Sequence, residues 1–129
     1  MRLNPDCIRD ILLTVEQECD GHSLIYISDG SDLSQKEFLC KYKIDEVLYH
    51  INQCNLSGFF TKCVLDLSGG YKIIDLSPKG HEFLADVRNN SSWCKVKSTA
   101  EKIGVGSLKA LVQIASTITA NLIKESLSS

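Results

Sequence analysis

His50 and Cys54 stand four residues apart in KIDEVLYHINQCNLSGFF. On a helix that spacing sets an imidazole and a thiol on one face, where both could take a metal ion. No second close ligand pair accompanies them and His50 borders an apolar stripe, so the pair reads as packing and no metal site is expected. The six cysteines (Cys7, Cys19, Cys40, Cys54, Cys63 and Cys94) are scattered without a CxxC pair. They read as reduced thiols, several of them small buried hydrophobes. Two carboxylate pairs, Asp6 with Asp10 and Glu82 with Asp86, have the separation that acid–base chemistry uses. At i, i+4 on a helix flank, such pairs more often form a solvated face. His22 reads as a turn residue, and His81 as a residue that packs or caps locally. There is no Walker loop, nucleophile elbow, HExxH or dinucleotide fingerprint. The expectation is a non-enzymatic protein with no catalytic residues and no cofactor.

Binding chemistry is better represented. The helix that carries His50 sets Asp45, Glu46, Tyr49 and Gln53 on the face opposite its apolar residues. Gln53 suits an adenine edge and Tyr49 a phosphate or base. Lys41 and Lys43 precede this helix, with Lys36 nearby, while Lys62, Lys72 and Lys79 surround a hairpin. The candidate nucleic-acid contacts are therefore Lys41, Lys43, Tyr49, Gln53, Lys62 and Lys72. Three features oppose them: the two carboxylates on the same helix face, only three arginines (Arg2, Arg9 and Arg88), and a net charge of -2. Bidentate reading of guanine favours arginine, and a negative chain does not attract a polyanion as a whole.

These side chains need elements to hold them. Asn4-Pro5 is a strong helix start, and Ile8, Ile11, Leu12, Val15 and Cys19 share a face, predicting a helix over residues 5–19. SLIYIS predicts a short strand over 23–28. Ser34 with Glu37 has capping-box spacing and predicts a short helix over 35–40. Ile44, Val47, Leu48, Ile51 and Cys54 predict a third helix over 45–55. FFTKCVLDL and YKIIDL, joined by SGG, form the best hairpin signal, and Ser77-Pro78 caps the helix that follows. After the polar junction NNSSW, WCKVKSTAEKIG reads as a helix ended by Gly104. GSLKALVQIASTITANLIKESLSS reads as a longer helix with a stripe of Leu108, Leu111, Val112, Ala115, Ile118 and Leu122. The last helix is too polar to span a membrane and the N-terminus is not a signal peptide, so a cytoplasmic protein is expected.

Helix, strand, helix, helix, hairpin, helix is the order of a winged helix-turn-helix. The blocks MRLNPDCIRDILLTVE, VLYHINQCNLSGFF and LSPKGHEFLADVRNNSSW together resemble an uncharacterised family of small proteins from bacteria and their phages, known as a domain of unknown function. The resemblance spans nearly the whole chain. It implies an α+β, mostly helical fold, with a winged-helix module over residues 1–90 and a helical extension over 91–129. It brings no catalytic residues with it. Trp93, at the junction, is expected to pack the extension onto the module. Two functional readings follow. One is a DNA-linked transcriptional regulator that dimerises through the last-helix stripe, the cover expected for so long an apolar surface. The other is a non-enzymatic protein-interaction module, of bacterial or phage origin, that does not bind DNA. Fold order favours the first, by a small margin, and charge favours the second.

Overall fold

The computed structural model describes residues 1–104 and 106–128. The elements are α1 (Pro5–Glu18), β1 (Ile25–Ile27), α2 (Gly30–Ser34), α3 (Ile44–Leu56), β2 (Phe60–Leu65), β3 (Tyr71–Leu76), α4 (Pro78–Val87), α5 (Asn90–Ile103) and α6 (Leu108–Ser128). The fold is α+β and mostly helical, with one antiparallel three-stranded sheet in the order β1-β3-β2.

At the start of α1 the Asn4 side chain accepts from the N–H groups of Asp6 (3.1 Å) and Cys7 (3.4 Å), satisfying two donors that the first turn leaves open. The predicted apolar face is buried, with Cys7, Ile8, Leu12 and Val15 wholly shielded from solvent.

The helix predicted over 35–40 does not form. Asp29 and Asp32 make a capping box one turn earlier: Asp29 accepts from the Ser31 N–H (2.9 Å) and Asp32 from the Asp29 N–H (3.1 Å), so the short helix is Gly30–Ser34. Carboxylates are stronger acceptors than a hydroxyl, and the Ser34 hydroxyl turns back to the Ser31 carbonyl instead. Residues 35–43 then run through turns. Leu39 plugs the core, while Tyr42 donates to Asp10 (2.6 Å) and Lys41 pairs with it (3.1 Å), tying the segment to α1.

The hairpin turn begins at Asp66 rather than at Ser68. The Gly69 N–H donates to the Asp66 carbonyl and the Asp66 N–H to the Gly70 carbonyl, with Gly69 at φ 89°. This is a type I turn closed by a left-handed residue, which suits the strand twist. The Asp66 carboxylate also accepts from Ser68 and Gly70. Near the other end of β3, Asp75 adopts φ 53° and accepts from the Leu76 N–H (2.8 Å), a local bond that makes the left-handed region accessible to an aspartate.

The serine, proline and glycine that open α4 each have a task. Ser77 accepts from the Gly80 N–H (3.1 Å) and its hydroxyl donates to the Gly58 carbonyl (2.5 Å), while Pro78 fills a first-turn position that needs no donor. Gly80 lies against the Phe59 backbone so closely that a Cβ would sit 2.2 Å from the Phe59 carbonyl oxygen. The helix thus crosses the start of the hairpin at backbone distance, and Phe59 stacks on Phe83 at 5.3 Å between ring centroids.

The polar junction predicted at 89–93 is instead a helix start. Asn89 accepts from the N–H groups of Ser91 (2.8 Å) and Ser92 (3.3 Å), and α5 runs from there to Gly104 in a left-handed cap. α6 packs back against α5 and α4. Leu108, Leu111 and Ala115 enter the core of their own chain, Val112 and Ile118 pack against it, and Leu122 is half-buried. The first half of the stripe expected to meet a second copy is therefore covered internally. One apolar core runs from α1 through the sheet to α6, so the described parts of the module and of the extension share it.

Replacing Gly80 by alanine is expected to lower stability by about 2 kcal/mol or more in urea unfolding, because the clash is with backbone that cannot turn aside. Leu111→Ala should cost about 2–5 kcal/mol and leave the mass in solution unchanged. A change of mass without loss of stability would place Leu111 at an interface between chains.

Candidate interaction surface

The outer face of α3 is partly walled in, with Asp45 exposed at its start. Tyr49 and Gln53 are half-buried and line a groove of about 680 Å³ with Arg2 and Leu3 of the N-terminal arm and Gly106 and Ser107, just before α6. The arm is fixed at Asn4, whose backbone N–H donates to His50 Nε2 (2.7 Å). His50 must accept at Nε2, so its proton sits on Nδ1 and goes to the Glu46 carbonyl one turn back (2.7 Å). Both ring nitrogens of this wholly buried histidine are thereby used inside the fold. Glu46 also receives the Asn4 side-chain amide at 3.5 Å. Among the described residues, no three of His, Cys, Asp and Glu converge as a metal-binding group.

Asp6, in the first turn of α1, receives the Trp93 indole N–H (2.8 Å) and the Lys97 ammonium (3.1 Å). Burial alone would raise its pKa, but these two donors outweigh burial and hold it below its ordinary value of 3.8. Trp93 is buried, with the Arg9 guanidinium 5.7 Å and the Lys97 ammonium 5.8 Å from its ring. Its place is between the extension and α1. Asp10 is likewise buried and occupied by Tyr42 and Lys41. Burial against α6 raises the Asp86 pKa, and Glu82 adds to the rise while Thr119 opposes it. His22 sits in the turn after α1, its N–H on Asp20, and His81 is exposed in the first turn of α4.

Five cations are also committed within the fold, Lys97 among them. Lys36 pairs with Glu18 (2.9 Å), Lys41 with Asp10 and Arg88 with Glu16, while Arg9 donates to the Val87 and Arg88 carbonyls. Lys43, Lys62, Lys72 and Lys79 have no ion pair among the described residues. The six expected nucleic-acid contacts thus fall in different settings. Tyr49 and Gln53 line the groove, Lys41 is tied to α1, and Lys43 is exposed just before α3.

Lys62 and Lys72 lie together on the outer face of the sheet. Lys62 is opposite Ile74, Val64 opposite Lys72, and Lys72 opposite Tyr26. Paired residues on antiparallel strands share a face, so Tyr26, Lys62, Val64, Lys72 and Ile74 form one surface. Val64 is 42% exposed; Leu65, opposite Tyr71 and so on the other face, is 58% exposed, and Leu67 at the hairpin tip is fully exposed. The apolar members were missed in reading the sequence, although the alternation in IYI and FTKCVL carried the signal.

All six cysteines are free. Cys7, Cys19 and Cys54 are buried, Cys63 is half-buried, and Cys40 and Cys94 are exposed. Burial pushes the Cys7 thiol up to about 12, with Glu46 adding to the rise, and Cys63 up to about 11. Raised values keep the Cys7 and Cys63 thiols in the protonated form at neutral pH.

The family model of hypothetical proteins DUF2513 matches residues 2–106, and the chain belongs to that family. An uncharacterized protein of Haemophilus influenzae strain Rd is 26% identical over 126 residues, which is 95% of this chain and 99% of that one. No solved structure matches the chain. No helix among the described residues is long and apolar enough to cross a membrane.

The depressed Asp6 pKa fixes a direction with acid. The stabilising effect is complete above about pH 4 and is lost as pH falls through the lower folded-state value. Asp6→Asn should therefore reduce stability at neutral pH and flatten the decline of the urea midpoint between about pH 4 and pH 2. An equally steep decline in the variant would place the acid sensitivity elsewhere.

Proposed function

We propose that this chain is a non-enzymatic, winged-helix-like module that binds another protein through its hairpin sheet, in a cytoplasmic setting consistent with its free thiols. One observation carries the reading. The sheet leaves Tyr26, Val64, Ile74 and two unpaired lysines facing outward, while Tyr49 and Gln53 on the outer face of α3 line a groove walled by the chain's own N-terminal arm and by Gly106 and Ser107. A winged-helix DNA reader needs the third helix free to enter a major groove. An apolar strip edged by a few charges is what a protein interface presents.

A DNA-linked regulator is the second reading, favoured by the unpaired Lys43, Lys62 and Lys72. A dimer of that kind would draw on exposed apolar residues near the end of α6, such as Ile123 and Leu127, in place of the buried half of the stripe.

Titrating duplex DNA across a salt series separates the two. The protein-binding reading predicts no binding that falls linearly in log salt. DNA binding through Lys43, Lys62 and Lys72 predicts a log–log slope of roughly -3, which Lys62→Ala with Lys72→Ala should reduce to about -1. That second result would replace the protein-binding reading.

A further inference from the structure

The sheet order β1-β3-β2 leaves β2 with a neighbour on one side only. Phe60–Leu65 is six residues long, has no proline, and packs within the described fold mainly on β3. The turn sets the phase of its ladder. The Asp66 N–H bonds the Gly70 carbonyl, and in an antiparallel pair the bonded residues alternate, so Val64 and Lys62 turn their backbone groups toward β3. The N–H and C=O groups of Cys63 and Leu65 then point away from the sheet. Natural edge strands are blunted by charge, proline, bulges or a covering element. Here Lys62 supplies the single charge on the strand, and Val64 and Leu65 beside it are exposed.

We infer that β2 is a docking edge that takes an extended, acidic segment of a partner protein as a fourth strand, pairing with the outward N–H and C=O groups of Cys63 and Leu65. This rests on the protein-binding reading above and adds the mode of binding and the chemistry of the partner. Strand addition takes affinity from main-chain bonds and specificity from alternate side chains. The register places a partner residue on the outer face beside Lys62, where a carboxylate finds an unpaired ammonium, and the next outer residue beside Val64, where an apolar side chain is required. On the opposite face the partner meets Cys63, half-buried, and Leu65, so apolar residues fit there too. Charge also decides against a second copy in this position. Joining two β2 edges would continue one outer face into the other and set Lys62 and Lys72 of both chains on it, with no carboxylate among the outer-face residues named above to answer them.

The test uses the full chain and a displayed library of random short peptides, followed by amide hydrogen exchange with a selected peptide bound. The expected outcome is enrichment of sequences that alternate acidic and apolar residues, with slowed exchange at the Cys63 and Leu65 amides. Leu65→Pro removes an outward N–H that β3 does not use and should weaken binding by about tenfold. Lys62→Glu, a surface change that leaves the backbone alone, should shift selection from acidic to basic peptides at the adjoining position. Peptides that bind the sheet without protecting Cys63 and Leu65, and that tolerate Leu65→Pro, would overturn strand addition while leaving the protein-binding reading in place. Unchanged charge selection with Lys62→Glu would overturn the acidic partner. No selected peptide, together with salt-dependent DNA binding, would overturn both readings.

Discussion

Where α1 begins, the Asn4 N–H has to find an acceptor against the side of α3, and the His50 Nε2 supplies it at 2.7 Å. Two residues on, Asp6 takes the Trp93 indole and the Lys97 ammonium from α5. The first turn of one helix thus fixes two others, separated from it by 46 and 87 positions in the chain. An unpaired buried donor costs about 1–3 kcal/mol, so the His50 ring is held to one tautomer and one position. The N-terminal arm is drawn along α3, and α5 is drawn over the arm's other side. The groove that contains Tyr49 and Gln53 is the space between these parts.

That arrangement redirects the polar inventory of the protein. Asp6, Asp10, Glu16, Glu18 and Glu46 would read as a negative surface if each were solvated, yet each meets a donor from elsewhere in the fold. The cations that answer them are withdrawn from any external anion. Electrostatic binding therefore depends on the cations without an ion pair among the described residues rather than on the total of 14 Lys and Arg. Two of these, Lys62 and Lys72, stand on the sheet among apolar side chains, where charge and hydrophobic contact act on the same partner.

Element order was legible because the local signals were strong. Asn4-Pro5, Ser77-Pro78 and Gly104 mark helix ends by chemistry that needs no tertiary partner. The misplacement at α2 has the same origin. Ser34 with Glu37 and Asp29 with Asp32 both have the right spacing, and choosing between them required knowing that residues 35–43 would be held to α1 by Tyr42 and Lys41. The role of Gly80 was legible only as a helix-start residue, since its contact with Phe59 joins segments 21 residues apart. The binding face was legible in part. Lys62 and Lys72 were recognised by charge, whereas the groove around Tyr49 and Gln53 depends on the arm, and the pairing of Lys41 on Asp10, neither of which a helical period reveals. The coverage of Leu108 and Leu111 within the chain follows from the packing of α6 back against α5 and α4, a matter of direction rather than of apolar pattern.

The sheet shows how one irregular residue divides structural from exposed positions. Along β3, Ile74 and Leu76 are two apart and in a regular strand would share a face, yet Ile74 lies with Lys62 on the outer side and Leu76 is buried. Asp75, at φ 53°, lies between them, and the turn of the backbone there sends Leu76 and its partner Phe60 inward, toward the Ser77 cap and α4. Before that point the strands keep their alternation, with Tyr71 and Ile73 in the core and Lys72 outward. The end of the hairpin near α4 is therefore anchored by core side chains, while the end near the turn is held by Asp66 through Ser68 and Gly70. With both ends fixed from within, the middle of β2 keeps its register without a second neighbour, and the main-chain groups of its free edge remain aligned for one.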